Sequence, residues 1–305
     1  MDNKIGIKKE LFQRNRDFFE EVDEQKENKI GKRLKKELMI NKVACISIIL
    51  LLLIVLAVMM APLSPYDPYK IDRSQKLQDA SLQHWLGTDE YGRDYFTRAL
   101  YGGRVSLAVG VCTMFATTGI GTILGVCTGY FGGRVDTVLM RFTDLFLALP
   151  SLLLMIILNT ILRPGLITLI LVMSLFSWAP VARITRAETM SVKEREYVIA
   201  SEGLGAGRLM IIFHHVIPNI LGPIVVASTL GVANSILMES ALSFLGLGVQ
   251  IPTASWGSML QEAQPYILNH PLLAVFPGIL ILVTVLGFNM LGNVLQNVFD
   301  DRKRK

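Results

Sequence analysis

Charge is scarce in this sequence of 305 residues. Asp, Glu, Lys and Arg make up 18% of it, against about 25% in a soluble globular protein. Cysteine is scarcer still. Cys45, Cys112 and Cys127 all lie inside apolar runs, their number is odd, and none are spaced as C-x-x-C. That excludes a disulfide scaffold and a cysteine metal site. The motifs G-x-x-x-x-G-K-[ST], H-E-x-x-H and G-x-S-x-G are also absent, so no phosphate loop, zinc-protease helix or nucleophile elbow is on offer. Gly203, Gly205 and Gly207 resemble a dinucleotide fingerprint only superficially, because the third glycine is misplaced and no strand precedes them. His214 and His215 are adjacent, about 100° apart on a helix, and share a metal poorly. No catalytic residue and no metal ligand is assigned, and no cofactor is expected on this chain.

What is abundant is hydrophobicity, at 51% with a mean hydropathy of +0.46. Stretches without Asp, Glu, Lys or Arg cover 43–66, 105–133, 145–162, 164–182, 209–238 and 263–299. Each is about as long as the ~20 residues that cross a bilayer as a helix. Only a structure that pairs its own backbone groups can do so. The expectation is an all-α polytopic membrane protein with six helices near 43–62, 105–129, 136–162, 165–183, 219–247 and 272–296. No cleavable signal peptide is read, because the charged first 42 residues precede a first apolar run too long for a signal core.

Basic residues set the orientation. Residues 1–42 hold 12 of them, and Arg302 to Lys305 are all basic. With both termini cytoplasmic, the cytoplasmic parts carry 22 basic residues and the external parts seven, a bias that follows the positive-inside rule. Basic tails also bind nucleic acid, but anchoring accounts for these, and no nucleic-acid partner is expected. The chain then divides into a charged cytoplasmic tail (1–42), a first helix with an external loop (43–104), a five-helix body (105–300) with a cytoplasmic loop at 184–218, and a basic tail (301–305).

Four intramembrane features stand out. Gly121, Gly125 and Gly129 recur every four residues, a spacing that lets a second helix approach closely. Ala227, Gly231, Ser235 and Glu239 form a similar stripe. Glu239 is the only acid between Leu209 and Gln261, and a carboxylate at that depth faces protein or water. It either lines a pathway with Ser235, meeting a cationic substrate end, or serves as a structural hydrogen-bond acceptor near the outer surface. Arg141 and Asp144 are three apart and can pair on one face, or Arg141 snorkels to the interface. Pro150, Pro180 and Pro277 are expected to bend or interrupt their spans.

The cytoplasmic loop is the sharpest signal. From Arg195 it reads as a short helix to about Glu202, broken by glycines, with Pro218 marking the entry to the fifth span. Such a helix, held between two membrane helices, suits docking of a partner. Ile199-Ala200-Ser201, Gly205, His215, Ile217 and Pro218 resemble the Glu-Ala-Ala, Gly, Ile, Leu-Pro loop motif of permease subunits of binding-protein-dependent ABC importers, with Ile199, Ser201 and His215 replacing the usual residues. Further segments at 86–94, 100–107, 183–186, 196–198, 241–250, 255–257 and 287–292 are similar to the second permease of the dipeptide, oligopeptide and nickel importers.

The resemblance implies a type I importer transmembrane domain in a bacterial inner membrane. It implies a second permease subunit as heterodimer partner and two cytoplasmic ATP-binding subunits that carry ATP and Mg. An external solute-binding protein would deliver di- or oligopeptides, or alternatively nickel or another small solute. It places the ATPase-coupling loop at Tyr197, Val198, Ile199, Ala200, Ser201, Gly205, Ala206 and Gly207, with Pro218 beyond it. Gly205 supplies the turn, where a side chain would obstruct docking. A membrane enzyme would need paired nucleophile and base within the spans, and a stand-alone secondary transporter would leave the docking loop without a purpose.

Overall fold

The computed structural model describes residues 31–162 and 165–300, with the side chain of Asp300 excepted. Residues 1–30 of the charged tail, Arg163, and the basic tail 301–305 lie outside the described residues. The described chain is helical apart from its loops and an isolated bridge between Thr88 and Asp94. Among the described residues, four helices are long and apolar enough to cross a membrane, and two bent pairs bring the number to six if each pair is one span.

Helix α1 (Lys42–Met59) starts where the Asn41 side chain accepts the Ala44 N–H at 3.1 Å. It continues through an uncharged run of mean hydropathy 2.9. Helix α2 (Tyr95–Phe131) begins ten residues before the expected span. Asp94 caps it through the Thr97 N–H at 2.8 Å. Its polar first turns stay helical because they are packed, with the Trp256 indole N–H donating to the Ala99 carbonyl at 2.9 Å. The helix ends at Gly132 and Gly133, both at positive φ.

The expected single span over 136–162 is broken. Helices α3 (Gly133–Ala148) and α4 (Ser151–Ile161) meet at 82°, because Pro150 has no N–H to give the preceding turn and pushes Leu149 into extended backbone. Helices α5 (Leu166–Ser177) and α6 (Ala179–Lys193) bend by 44° just before Pro180. Helix α7 (Glu196–Gly203) is short. Helix α8 (Arg208–Phe244) starts eleven residues before the expected span. Pro218 does not open it; a π-helical turn at Ile212–Val216 precedes that proline and keeps the helix running. Helices α9 (Trp256–Ala263) and α10 (Leu272–Asp300) complete the chain. Pro277 lies inside α10 without ending it.

The glycine stripe is where α2 meets α6. A Cβ on Gly121 would lie 2.7 Å from Val181 Cβ, one on Gly125 2.6 Å from the Ala182 carbonyl oxygen, and one on Gly129 2.7 Å from Thr189 Cβ. Backbone on the far side leaves no room to yield. Overpacking a core position usually costs about 1–3 kcal/mol, and a clash with backbone lies at the upper end. Gly125→Val is therefore expected to deplete the folded subunit from membranes. Gly119→Val is the control, since nothing lies within 4 Å of a Cβ there. Quantitative blots of detergent-extractable protein check both.

The loop between α1 and α2 folds against α9 at one end of the bundle. Arg98, fully buried, reaches Glu262 at 2.8 Å and Asp89 at 3.1 Å, while Arg93 holds Asp89 at 2.6 Å. Glu90 sits beside this cluster. Its partial burial, with the Glu262 charge nearby, pushes its carboxyl from 4.5 up to about 7. The folded loop thus holds that proton more tightly than the unfolded one. The resulting stability is complete below pH 4.5 and is lost as pH rises through 7. Amide exchange in residues 60–94, corrected for intrinsic rates, is expected to be faster at pH 8 than at pH 5. Glu90→Gln is expected to flatten that difference.

Candidate functional site

Two regions carry the expected site residues. The first is the end of the bundle where α6, α7 and α8 meet. Val198 is buried with Val126, Tyr130, Val192, Ile211 and Ile220, so one side of α7 is fastened to α2, α6 and α8. The Ser201 hydroxyl lies 3.3 Å from His215 Nε2, and the Tyr197 ring meets the His215 ring edge-on at 5.9 Å. Helix α7 then closes with a Schellman turn. The Ala206 N–H donates to the Ser201 carbonyl at 3.1 Å and the Gly205 N–H to the Glu202 carbonyl at 2.9 Å. Gly205 has φ +86°, a conformation that glycine adopts without strain.

A Cβ on Gly205 would meet nothing within 4 Å in this chain. The outer side of α7 and the start of α8 present Ile199, Leu204 (90% exposed), Leu209 and Phe213 to the surroundings. Ala200 and Gly207 are exposed as well, and Ala206 is half-buried. Pro218 stands apart from this face, ten residues into α8 and about 15 Å along its axis. Exposed apolar patches of this kind are a common feature of surfaces that meet a partner or lipid.

The second region is a cavity of about 390 Å³ among α2, the α3–α4 break, the α5–α6 bend and α8. Thr117, Thr118, Ser151, Ser177, Asn234 and Ser235 supply its polar atoms, and none of the described lining residues is charged. Both bends help to form it. Breaking the third span at Leu149–Pro150 and bending the fourth before Pro180 pulls those helices out of parallel packing. Ala227, Gly231 and Ser235 line the cavity as one stripe.

Glu239, one turn further, does not line this cavity. It is fully buried. Its carboxylate accepts from Ser243 Oγ at 2.7 Å and Ser106 Oγ at 3.0 Å, with Ser240 Oγ at 3.4 Å. Ser106 Oγ in turn accepts the Trp256 N–H at 3.1 Å. The carboxylate joins α8 to α2 and, through Ser106, to α9. Ser243 at i+4 was legible from helical spacing, whereas Ser106 is brought in from 133 residues away and gave no local signal.

The Arg141–Asp144 pair does not form. Asp144 pairs with Arg183 at 2.5 Å instead, and Asp136 takes both Nε and Nη2 of Arg186. Helix α6 lies alongside α3 and offers guanidinium groups to both acids, which a search at helical spacing does not see. The carboxylates of Asp89, Glu90 and Glu262 lie within 4.8 Å of one another. Arg93 and Arg98 already serve two of them.

Residues 121–305 match the family described as binding-protein-dependent transport system inner membrane component. Residues 32–81 match the N-terminal TM domain of oligopeptide transport permease C. The sequence is 42% identical to the dipeptide transport system permease protein DppC of Alkalihalophilus pseudofirmus, covering 76% of each chain. It is 42% identical to the oligopeptide transport system permease protein OppC of Bacillus subtilis, covering 74% of each. Among solved structures, the inward-facing MetNI methionine ABC transporter superposes with a TM-score of 0.56 at 16% identity, over 66% of this chain and 96% of that one. That similarity concerns the fold alone.

Proposed function

The chain belongs to the inner membrane components of binding-protein-dependent transport systems, and from this we propose that it forms half of the translocation path for di- or oligopeptides in an ATP-driven importer. The observation that carries the peptide reading is its 42% identity to dipeptide and oligopeptide permeases over three quarters of its length. The cavity chemistry agrees with it. Hydroxyl and amide groups on an uncharged wall offer donors and acceptors to peptide backbone whatever side chains it carries.

The other half of the path is a second permease subunit. The α6–α7–α8 end faces the cytoplasm, as the distribution of basic residues favours. There two ATP-binding subunits dock on the outer side of α7, and ATP and Mg reside on them. An external solute-binding protein delivers substrate from the side of the α1–α2 loop. Closure of the ATPase pair moves α7, and the buried Val198 and the Ser201–His215 contact transmit that movement to α8, whose stripe lines the cavity. Such a device has two states biased by a nucleotide bound elsewhere.

Purification from the native membrane in mild detergent, with mass spectrometry of the associated chains, is the first test. Two ATP-binding subunits and a second permease are expected. ATP-dependent uptake of labelled dipeptide by the reconstituted complex is the second. A chain that purifies alone and transports in liposomes without ATPases overturns the importer reading. A complete complex that leaves peptides untransported and moves another solute overturns the peptide reading alone.

A further inference from the structure

A crevice of about 420 Å³ opens between the end of α1, the following loop and the first turns of α2, lined among others by Met60, Leu63, Leu82, Trp85, Phe96 and Leu100. Leu82 is 98% exposed, and Leu63 and Trp85 are mostly exposed. These side chains are held out by a fixed backbone. The Tyr66 hydroxyl donates to the Gln83 carbonyl at 2.7 Å, and the Ser81 N–H donates to the His84 carbonyl at 2.7 Å. The His84 ring turns inward, with its two nitrogens 2.8 Å from Asp94 and 2.9 Å from Gln75. Trp85 rests against Phe96 with ring centroids 5.4 Å apart. The loop thus buries its histidine and presents leucine and tryptophan.

The position of this tip along the membrane normal follows from helix geometry. A Cβ on Gly103 of α2 would touch Val58 of α1 at 2.5 Å, so the two residues are level. The 18 residues of α1 extend about 27 Å, which places Val58 near the edge of the ~30 Å hydrocarbon core. Phe96, seven residues before Gly103, lies about 10 Å beyond that level if α2 runs near the normal. The crevice therefore occupies the interfacial layer, where tryptophan and tyrosine are enriched. Its apolar wall also continues the exposed face of α1, formed by Leu52, Leu53, Leu56, Met59 and Met60. That face has bulky side chains, whereas packed membrane helices meet through small ones, so it faces lipid.

We propose that the α1–α2 loop tip is a membrane-binding surface, with Leu82 and Trp85 inserted among the lipids at the bilayer face and the crevice behind them taking the upper part of an acyl chain. This requires only that α1 and α2 cross the membrane and is independent of the substrate reading. The test uses the full complex in nanodiscs made with phosphatidylcholine brominated high on the acyl chain. Trp178 and Trp256 are buried, and subtracting the Trp85→Phe spectrum isolates Trp85 even when partner subunits contribute tryptophans.

The expected Trp85 emission is blue-shifted, insensitive to aqueous iodide, and quenched about twofold more by bromines near the glycerol than by bromines at the chain end. Leu82→Trp in the Trp85→Phe background is expected to restore that quenching. Quenching by iodide without quenching by brominated lipid overturns the proposal. So does quenching by neither, or a spectral shift that needs the solute-binding protein, because each places water or protein on this surface.

Discussion

Gly205→Trp is expected to leave the subunit folded and inserted while reducing ATP-driven uptake at least tenfold, about 1.4 kcal/mol or more of lost coupling. Within the chain the substitution meets little resistance, since a Cβ there approaches nothing within 4 Å. The backbone conformation at φ +86° carries a penalty of about 1–2 kcal/mol for a non-glycine residue. Helix α7 keeps its other fastenings, namely buried Val198 and the Ser201–His215 contact. The indole instead projects beside Leu204, on the face proposed to receive the ATP-binding subunits. Gly205→Asn separates the two effects, because asparagine tolerates left-handed backbone and is small. It is expected to retain most coupled transport. The readouts are subunit level in membranes, recovery of the ATP-binding subunits on purification, and ATP hydrolysed per peptide transported. Normal coupled uptake by the tryptophan variant would remove the docking assignment.

The helical, membrane-spanning character was legible because a bilayer imposes long uncharged runs, and 43–66 and 263–299 contain most of α1 and of α10. The glycine spacing in α2 was legible as a close-packing face, though its partner was not, since nothing local names α6. Helix boundaries were less readable. Residues 95–104 look like loop by composition, yet are helical because Trp256 and the Asp94 cap hold them. The start of α8 was placed too late because Pro218 reads as an opening residue, and sequence gives no direct sign of the π-helical turn before it. The stripe of Ala227, Gly231 and Ser235 was found by helical periodicity and does line the cavity. Periodicity failed one turn later, where Ser240 and Ser243 come from α8 itself but Ser106 comes from α2.

Glu239 is expected to prove a fastening, and its variants separate that role from contact with substrate. Glu239→Leu is nearly isosteric but leaves the Ser106, Ser240 and Ser243 hydroxyls facing a methyl-bearing surface. A buried polar group stripped of its partner costs about 1–3 kcal/mol. Three such groups share the loss, partly relieved because serine hydroxyls can turn toward carbonyls of their own helix. A clear fall in the melting temperature of the detergent-solubilised complex is therefore expected. Glu239→Gln keeps the shape and an acceptor oxygen. Its amide can donate to Ser106 or Ser243, whose hydroxyls accept as well as donate. The glutamine variant is expected to melt close to the parent and to transport peptides with cationic, neutral and acidic side chains with unchanged relative KM. A selective rise in KM for cationic peptides would instead place the carboxylate in contact with substrate in another state of the transport cycle. Ser235→Ala provides the contrast. Ser235 lines the cavity, so loss of its hydroxyl is expected to alter uptake kinetics with little change in melting, the reverse of Glu239→Leu.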